Sequence, residues 1–124
     1  MATRGDPSTG RLVRQFVHGA VEVHALHHAD EGAVHGAWLA AELSRHGYRV
    51  SPGTLYPLLH RLETDGLLAS RKHVVEGRAR RVYAITAKGR RALTQLRRAV
   101  EELAEEVLAE PSPRTRSRTR ANRL

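Results

Sequence analysis

The chain has 124 residues, a formal net charge of +8 and no cysteine. That length accommodates one small domain with appendages and a modest core, which a second chain can complete. The basic balance favours a polyanionic partner, nucleic acid ahead of an anionic membrane surface. The missing cysteines exclude a disulfide framework and a thiolate metal centre, and no apolar run of roughly 18 residues is present to span a bilayer.

Residues 1–10, MATRGDPSTG, are rich in Gly, Pro, Ser and Thr and are expected to form a flexible arm. They lack the apolar stretch of a secretory leader, so a cytoplasmic location is expected. Residues 11–29 have helical periodicity. Leu12, Phe16, Ala20 and Val23 lie near one face, and Val13, Val17, Val21, His24 and His28 near its neighbour. So wide an apolar arc predicts a helix covered by more than one neighbour. Asp30, Glu31 and Gly32 break it. A second helix is expected over 35–46, with Leu39 and Leu43 inward, Trp38 and Ala40 beside them, and Gly47 as its stop.

Residues 51–66, SPGTLYPLLHRLETDG, read as a third helix. Ser51 suits the N-cap and Pro52 the first helical position. Leu55, Leu58, Leu59 and Leu62 form a buried stripe. The opposite face presents Gly53, Pro57, His60 and Thr64, flanked by Thr54, Tyr56 and Arg61. Pro57 inside the helix presses on the carbonyl of Gly53, which adds no side chain to the crowding.

Strands are expected over 67–75 and 81–86, joined by a turn at Glu76, Gly77 and Arg78. Val82 and Ala84 should alternate against Tyr83 and Ile85. Thr86 can cap a long helix over 87–110. Its apolar residues Leu93, Leu96, Val100, Leu103 and Val107 step by 3, 4, 3 and 4, the spacing of an a/d seam. A basic block, Lys88 to Arg98, precedes the acids Glu101, Glu102, Glu105, Glu106 and Glu110. That order opposes the helix dipole but suits an antiparallel pairing of two such helices, or a basic half lying near DNA with the acids solvated. Residues 111–124 hold five Arg and no acid and are expected to be disordered alone.

The fold class is therefore mainly α with a small β-hairpin. A winged helix-turn-helix over 11–86 is followed by a dimerisation helix. Between Tyr48 and Arg98 there are twelve Lys and Arg against three acids. On this scaffold such a surface reads as phosphate-binding. The candidate DNA-contacting residues are Ser51, Thr54, Tyr56, His60 and Arg61 on the third helix, with Lys72, Arg78, Arg80 and Arg81 on the wing. Arg78 at the tip is expected to reach a minor groove. Alternation along the strand keeps the three wing arginines from sharing one surface.

Three stretches resemble the PadR family, the phenolic-acid decarboxylase repressor type. They are HG at 35–36, SPGTLYPLLHRLETDGLL at 51–68 and EGRARRVYAITAKGRRAL at 76–93. The similarity covers roughly residues 18–108. It implies a dimeric transcriptional regulator, commonly a repressor released by a small ligand. The single long C-terminal helix resembles that of the short subfamily, whose dimers form through this helix and the first. Leu93, Leu96, Val100, Leu103 and Val107 would then line the dimer interface. Ala37 stands where relatives often carry an aromatic and Trp38 where they are usually polar. His24 and His28 replace usual aliphatics.

His24 and His28, one helical turn apart, can hold a divalent metal, completed by His27, Glu31 or a partner's glutamate. They can equally bind a polar aromatic effector stacked on Trp38, and the commonest reading of such residues is partly buried helix histidines hydrogen-bonded to backbone or solvent. No cofactor is required otherwise. The motif H-E-x-x-H is absent and no nucleophilic triad or phosphate loop is evident, so no catalytic residue and no enzyme activity are expected. The expected function is a homodimeric repressor on a palindromic double-stranded operator, answering to a small-molecule inducer. The alternatives are an architectural nucleoid-type protein and a metal-responsive repressor using His24 and His28.

Overall fold

The computed structural model describes residues 6–110. Helix α1 spans Pro7–Glu31, strand β1 Val34–His35, helix α2 Gly36–Arg45 and helix α3 Pro52–Thr64. Strands β2 (Leu68–Val75) and β3 (Arg78–Ile85) and helix α4 (Ala87–Val107) follow. Residues 1–5 of the expected arm and the tail 111–124 lie outside the described residues. Helix α1 begins four residues before the expected Arg11. The Asp6 carboxylate accepts from the Ser8 N–H over 2.9 Å, and Pro7 fills a position that needs no donor.

Two units make up the chain, one reaching Thr94 and the other starting at Gln95. The break falls inside α4 rather than at the expected 86/87 boundary, because the first turns of α4 are part of the core. Gly89 and Leu93 are buried. A Cβ at Gly89 would collide with the Leu67 carbonyl oxygen.

In the first unit the leucine stripe of α3 forms as expected. Leu55, Leu58, Leu59 and Leu62 are at most 3% exposed and meet Leu39 and Leu43 of α2 in a common core with Leu26 and Leu68. Burying each such side chain contributes about 1.5–3 kcal/mol. Both helices stop on glycine. Gly47 (φ 89°) and Gly66 (φ 79°) let Tyr48 N–H reach the Leu43 carbonyl and Leu67 N–H the Leu62 carbonyl, each over 2.9 Å. Ser51 occupies the N-cap of α3 but makes no side-chain cap; its hydroxyl donates to Thr54 Oγ1 over 3.3 Å. Its carbonyl accepts from Thr54 and Leu55.

The sheet has three strands in the order β1-β3-β2, all antiparallel neighbours. Strand β1 was not expected. His35 belongs to it, opposite Val82, so α2 starts one residue late, at Gly36. As the central strand, β3 is covered on both faces near its end. Val82, Tyr83 and Ile85 are all buried while Ala84 is exposed, which replaces the simple alternation expected. The turn is the two-residue pair Glu76–Gly77, both at positive φ, and Arg78 is already in the strand opposite Val75. Arg78 is thus beside the tip, and an acid occupies the tip itself.

Helix α1 is buried only in its C-terminal half, at Val21, Ala25, Leu26, His28 and Ala29. Leu12, Val13 and Phe16 are 58%, 56% and 64% exposed, so among the described residues this part is not covered as its wide apolar arc implied. Within the seam of α4, Leu93 is 1% exposed and belongs to the core of its own chain. It is removed from the expected interface set. In the second unit Val100, Leu103 and Val107 are 46% to 64% exposed, and Leu96 is intermediate.

Candidate nucleic-acid interface

Helix α3 turns its leucines inward, so the remaining residues of its surface face out by geometry alone. Ser51, Thr54, Tyr56, His60 and Arg61 are all exposed. Lys72, Arg78, Arg80 and Arg81 are exposed on the wing. Tyr56 and the segment Arg78–Arg81 line one cleft of about 470 Å³, with His35, Gly36 and Ala37 on its other side. Lys72 lies directly opposite Arg81 in the β2–β3 register. Like charges facing across a ladder destabilise the hairpin, and a polyanion laid on this surface relieves that repulsion.

All three wing arginines border the larger cleft, against the expectation that alternation would separate them, but their other partners differ. The Arg81 guanidinium donates to Ser70 Oγ over 2.9 Å, and the Ser70 hydroxyl donates to Glu63 Oε2 over 2.7 Å. This relay ties both wing strands to α3. Arg78 and Arg80 also line, with His35, a neighbouring cleft of about 340 Å³. His35 stacks on His73 of β2, ring centroids 6.2 Å apart. His35, Gly36 and Ala37 were missing from the expected site. Only the long-range pairing of β1 with β3 brings them there.

A second group of side chains gathers where α1 meets α2. His24 stacks on His28 (5.9 Å) and on His46 (5.5 Å), and meets Tyr48 edge-on (5.0 Å). Burial, and then the neighbouring His28, His46 and His27, hold the His24 imidazole below its ordinary pKa of 6.5. Burial alone would raise the Glu42 carboxyl. The His46 hydrogen bond (3.2 Å) and Arg45 (2.8 Å) outweigh it and hold Glu42 below its usual range. Trp38 meets His28 edge-on at 5.4 Å and is half-exposed. It borders a cavity of about 300 Å³ with His28, Glu31 and the β1 residues Val34 and His35.

Among the described residues, His27, His28 and Glu31 bring one ligand atom each within 4.8 Å of the others. Glu31 lies 3.0 Å from His28 Nδ1 and 3.5 Å from His27 Nε2. Among the described residues the buried His28 Nε2 has no hydrogen-bond partner; it lies 3.9 Å from Glu42 Oε2. The expected pair of His24 and His28 is a ring stack, with His24 outside this ligand group. Glu42 and His46 were not expected here, although their i, i+4 spacing on α2 is visible in the sequence.

A helix-turn-helix followed by a basic wing, with the outward face of its second helix beside that wing, defines a DNA-binding winged-helix protein. The chain belongs to the PadR-like family of transcriptional regulators: the model of the "Transcriptional regulator PadR-like family" matches residues 25–95. It is 69% identical over 96 residues to the transcriptional regulator Rv3488 of Mycobacterium tuberculosis, covering 77% of this chain and 90% of that one. Its fold is similar to a PadR family transcriptional regulator from Eggerthella lenta, with a TM-score of 0.70 and 30% identity over 80% of this chain and 88% of the other. A PadR-like regulator from Bacillus cereus gives a TM-score of 0.67 and 29% identity, over 77% and 98% of the two chains. No helix among the described residues is long and apolar enough to cross a membrane.

Proposed function

We propose that this regulator is a homodimeric repressor whose two α3 helices read a palindromic operator in successive major grooves, each with its wing alongside. The observation that carries this is the placement of Tyr56 and the Arg78–Arg81 segment around one cleft. Arginine and aromatic groups converge there without an acid, as recognition of a phosphate-lined groove requires. The second copy is supported by two bare apolar faces. One holds Leu12, Val13 and Phe16, the other Val100, Leu103 and Val107. Exposure of this kind in a small basic protein marks a protein contact. The chain binds rather than catalyses, and it acts in the cytoplasm, where its DNA is. Selection of sites from random DNA, with sedimentation of the protein alone, tests the reading. A two-fold symmetric site bound about a thousandfold or more above random DNA supports it. Uniform affinity for all duplexes would favour an architectural nucleoid role, and a monomer at micromolar concentration would remove the dimer.

The signal is best accounted for by a divalent cation at His27, His28 and Glu31. Two imidazoles and a carboxylate suit a borderline metal. With Nδ1 of His28 turned to Glu31, its buried Nε2 faces the Glu42 carboxylate 3.9 Å away, the kind of neighbour that orients a metal-bound imidazole. The cavity under Trp38 gives the rival reading, a polar aromatic ligand stacked on the indole. The cavity under Trp38 reaches β1, which pairs with the central wing strand, and His28 and Glu31 belong both to that cavity and to the cation group. Occupancy can therefore favour one wing position over another, as a change in DNA affinity demands. Calorimetry with zinc, nickel and cadmium on the wild type and on His28→Ala/Glu31→Ala distinguishes them. Metal heat lost in the variant supports the cation. Phenolic binding lost in Trp38→Ala, with no metal heat, supports the aromatic ligand.

A further inference from the structure

Gly36 is the first residue of α2, buried, and its φ is not among the positive values of the chain. Its backbone would accept alanine, and alanine is the better helix former. Local structure gives no reason for glycine. The reason lies across the cleft, where a Cβ at Gly36 would stand 2.5 Å from Tyr56 Cε1, 3.0 Å from its hydroxyl oxygen and 3.1 Å from Cζ. The edge of the tyrosine ring, at Cε1 and the hydroxyl, therefore abuts the bare Cα of Gly36. Its other side is open, with 45% of the residue exposed. The seat is itself anchored, since His35, one residue earlier, pairs with Val82 of β3. Gly36 thus connects a contact residue of α3 to the root of the wing.

We propose that Gly36 is a positioning residue for DNA recognition. By carrying no side chain it lets the edge of the Tyr56 ring seat against the backbone and fixes the direction of its hydroxyl in the cleft shared with Arg78 and Arg80. An alanine there displaces a half-exposed ring into solvent, which leaves the fold intact and misaims the hydroxyl. Gly89 is different in kind, because its missing Cβ faces backbone and its replacement strikes the core. The inference rests on the DNA-binding reading above.

The test is a double-mutant cycle of Gly36→Ala and Tyr56→Ala, using a selected operator and a random duplex, with melting temperatures measured in parallel. Gly36→Ala is expected to melt within a few degrees of wild type. It should lose roughly tenfold or more in operator affinity, a loss on the scale of one good polar contact to a base edge, and little on the random duplex. In the Tyr56→Ala background the same substitution should change operator affinity by less than about twofold. Full operator affinity in Gly36→Ala overturns the proposal. So does an equal loss in both backgrounds, which would make Gly36 a site of close backbone approach to DNA. A large fall in melting temperature that is restored by Tyr56→Ala would assign the contact to stability and also overturn it. Failure of the wild type to prefer any operator would sink the DNA reading instead, so the two failures are distinguishable.

Discussion

The Thr86 hydroxyl donates to the Gly66 carbonyl over 2.6 Å and lies 3.1 Å from that of Leu67. The same oxygen accepts from the Gly89 N–H over 2.9 Å, capping α4. One side chain thus ties the end of α3 to the start of α4. Thr86→Val keeps the shape and removes the donor and the acceptor. It should cost about 1–2 kcal/mol of stability, read as a lower denaturation midpoint with an unchanged slope. An unchanged midpoint would show that the bonds are replaced by solvent.

Arg78 and Arg81 should behave differently on DNA. Among the described residues Arg78 makes no side-chain bond within the wing, so Arg78→Ala should weaken operator binding and leave the melting temperature unchanged. Arg81→Ala also breaks the relay through Ser70 to Glu63, so both affinity and stability should fall. Binding isotherms and melts of the two variants check this, and equal melts would mean that the relay carries no stability.

Truncation after Glu110 removes five arginines and no acid. The slope of log affinity against log salt should become shallower, by up to about 0.9 for each phosphate that the tail no longer neutralises. The ratio of operator to random binding should hardly change. A large loss of discrimination would mean that the tail reads bases.

Leu93 and Leu103 occupy the same seam but should fail in different ways. Leu93 is buried in its own chain, so Leu93→Ala should cost about 2–5 kcal/mol of folding stability. Leu103 is 46% exposed, and Leu103→Asp should leave the subunit folded while charging the contact with a second copy. Sedimentation should then show monomer with native circular dichroism. A dimer that survives Leu103→Asp would place the interface elsewhere.

Acid should loosen the α1–α2 junction. The His24 pKa is lower in the folded protein than its ordinary 6.5, so the unfolded chain takes up the proton first. The stability associated with neutral His24 is complete above about pH 6.5 and falls as pH drops below that value. Glu42, also depressed, adds a loss of the same sign further down, as pH falls through its folded value from the ordinary 4.5. Melting temperatures of the wild type should therefore decline from pH 7 towards about pH 5. His24→Gln should flatten the upper part of that decline. An identical pH profile in the variant would assign the effect to other groups.

Much of the fold was legible because it is local. Leucines at helical spacing, a proline just inside α3, and glycines just past α2 and α3 act within a few residues of themselves. Their consequences follow without knowing what packs against them. The exposed face of α3 follows from the same periodicity, since fixing Leu55 to Leu62 inward fixes Tyr56, His60 and Arg61 outward. The net charge and the arginine-rich wing likewise speak for a polyanion before any coordinates exist.

Tertiary structure decided what depends on residues far apart in the chain. Val34 and His35 are too short a run to signal a strand. They become one because β3 offers a free edge, and that pairing carries Gly36 to the ring of Tyr56. Leu93 and Val100 look alike in the seam, yet one is covered by its own chain and the other is bare. The histidines of α1 were visible as a pair of ligands. Only the packing of α2 sets His46 and Glu42 beside them, making His24 a stacking partner, while the ligand atoms that converge are those of His27, His28 and Glu31. Periodicity specifies which face of a helix is buried. Which neighbour buries it depends on contacts between distant segments, and those form only when the whole chain closes.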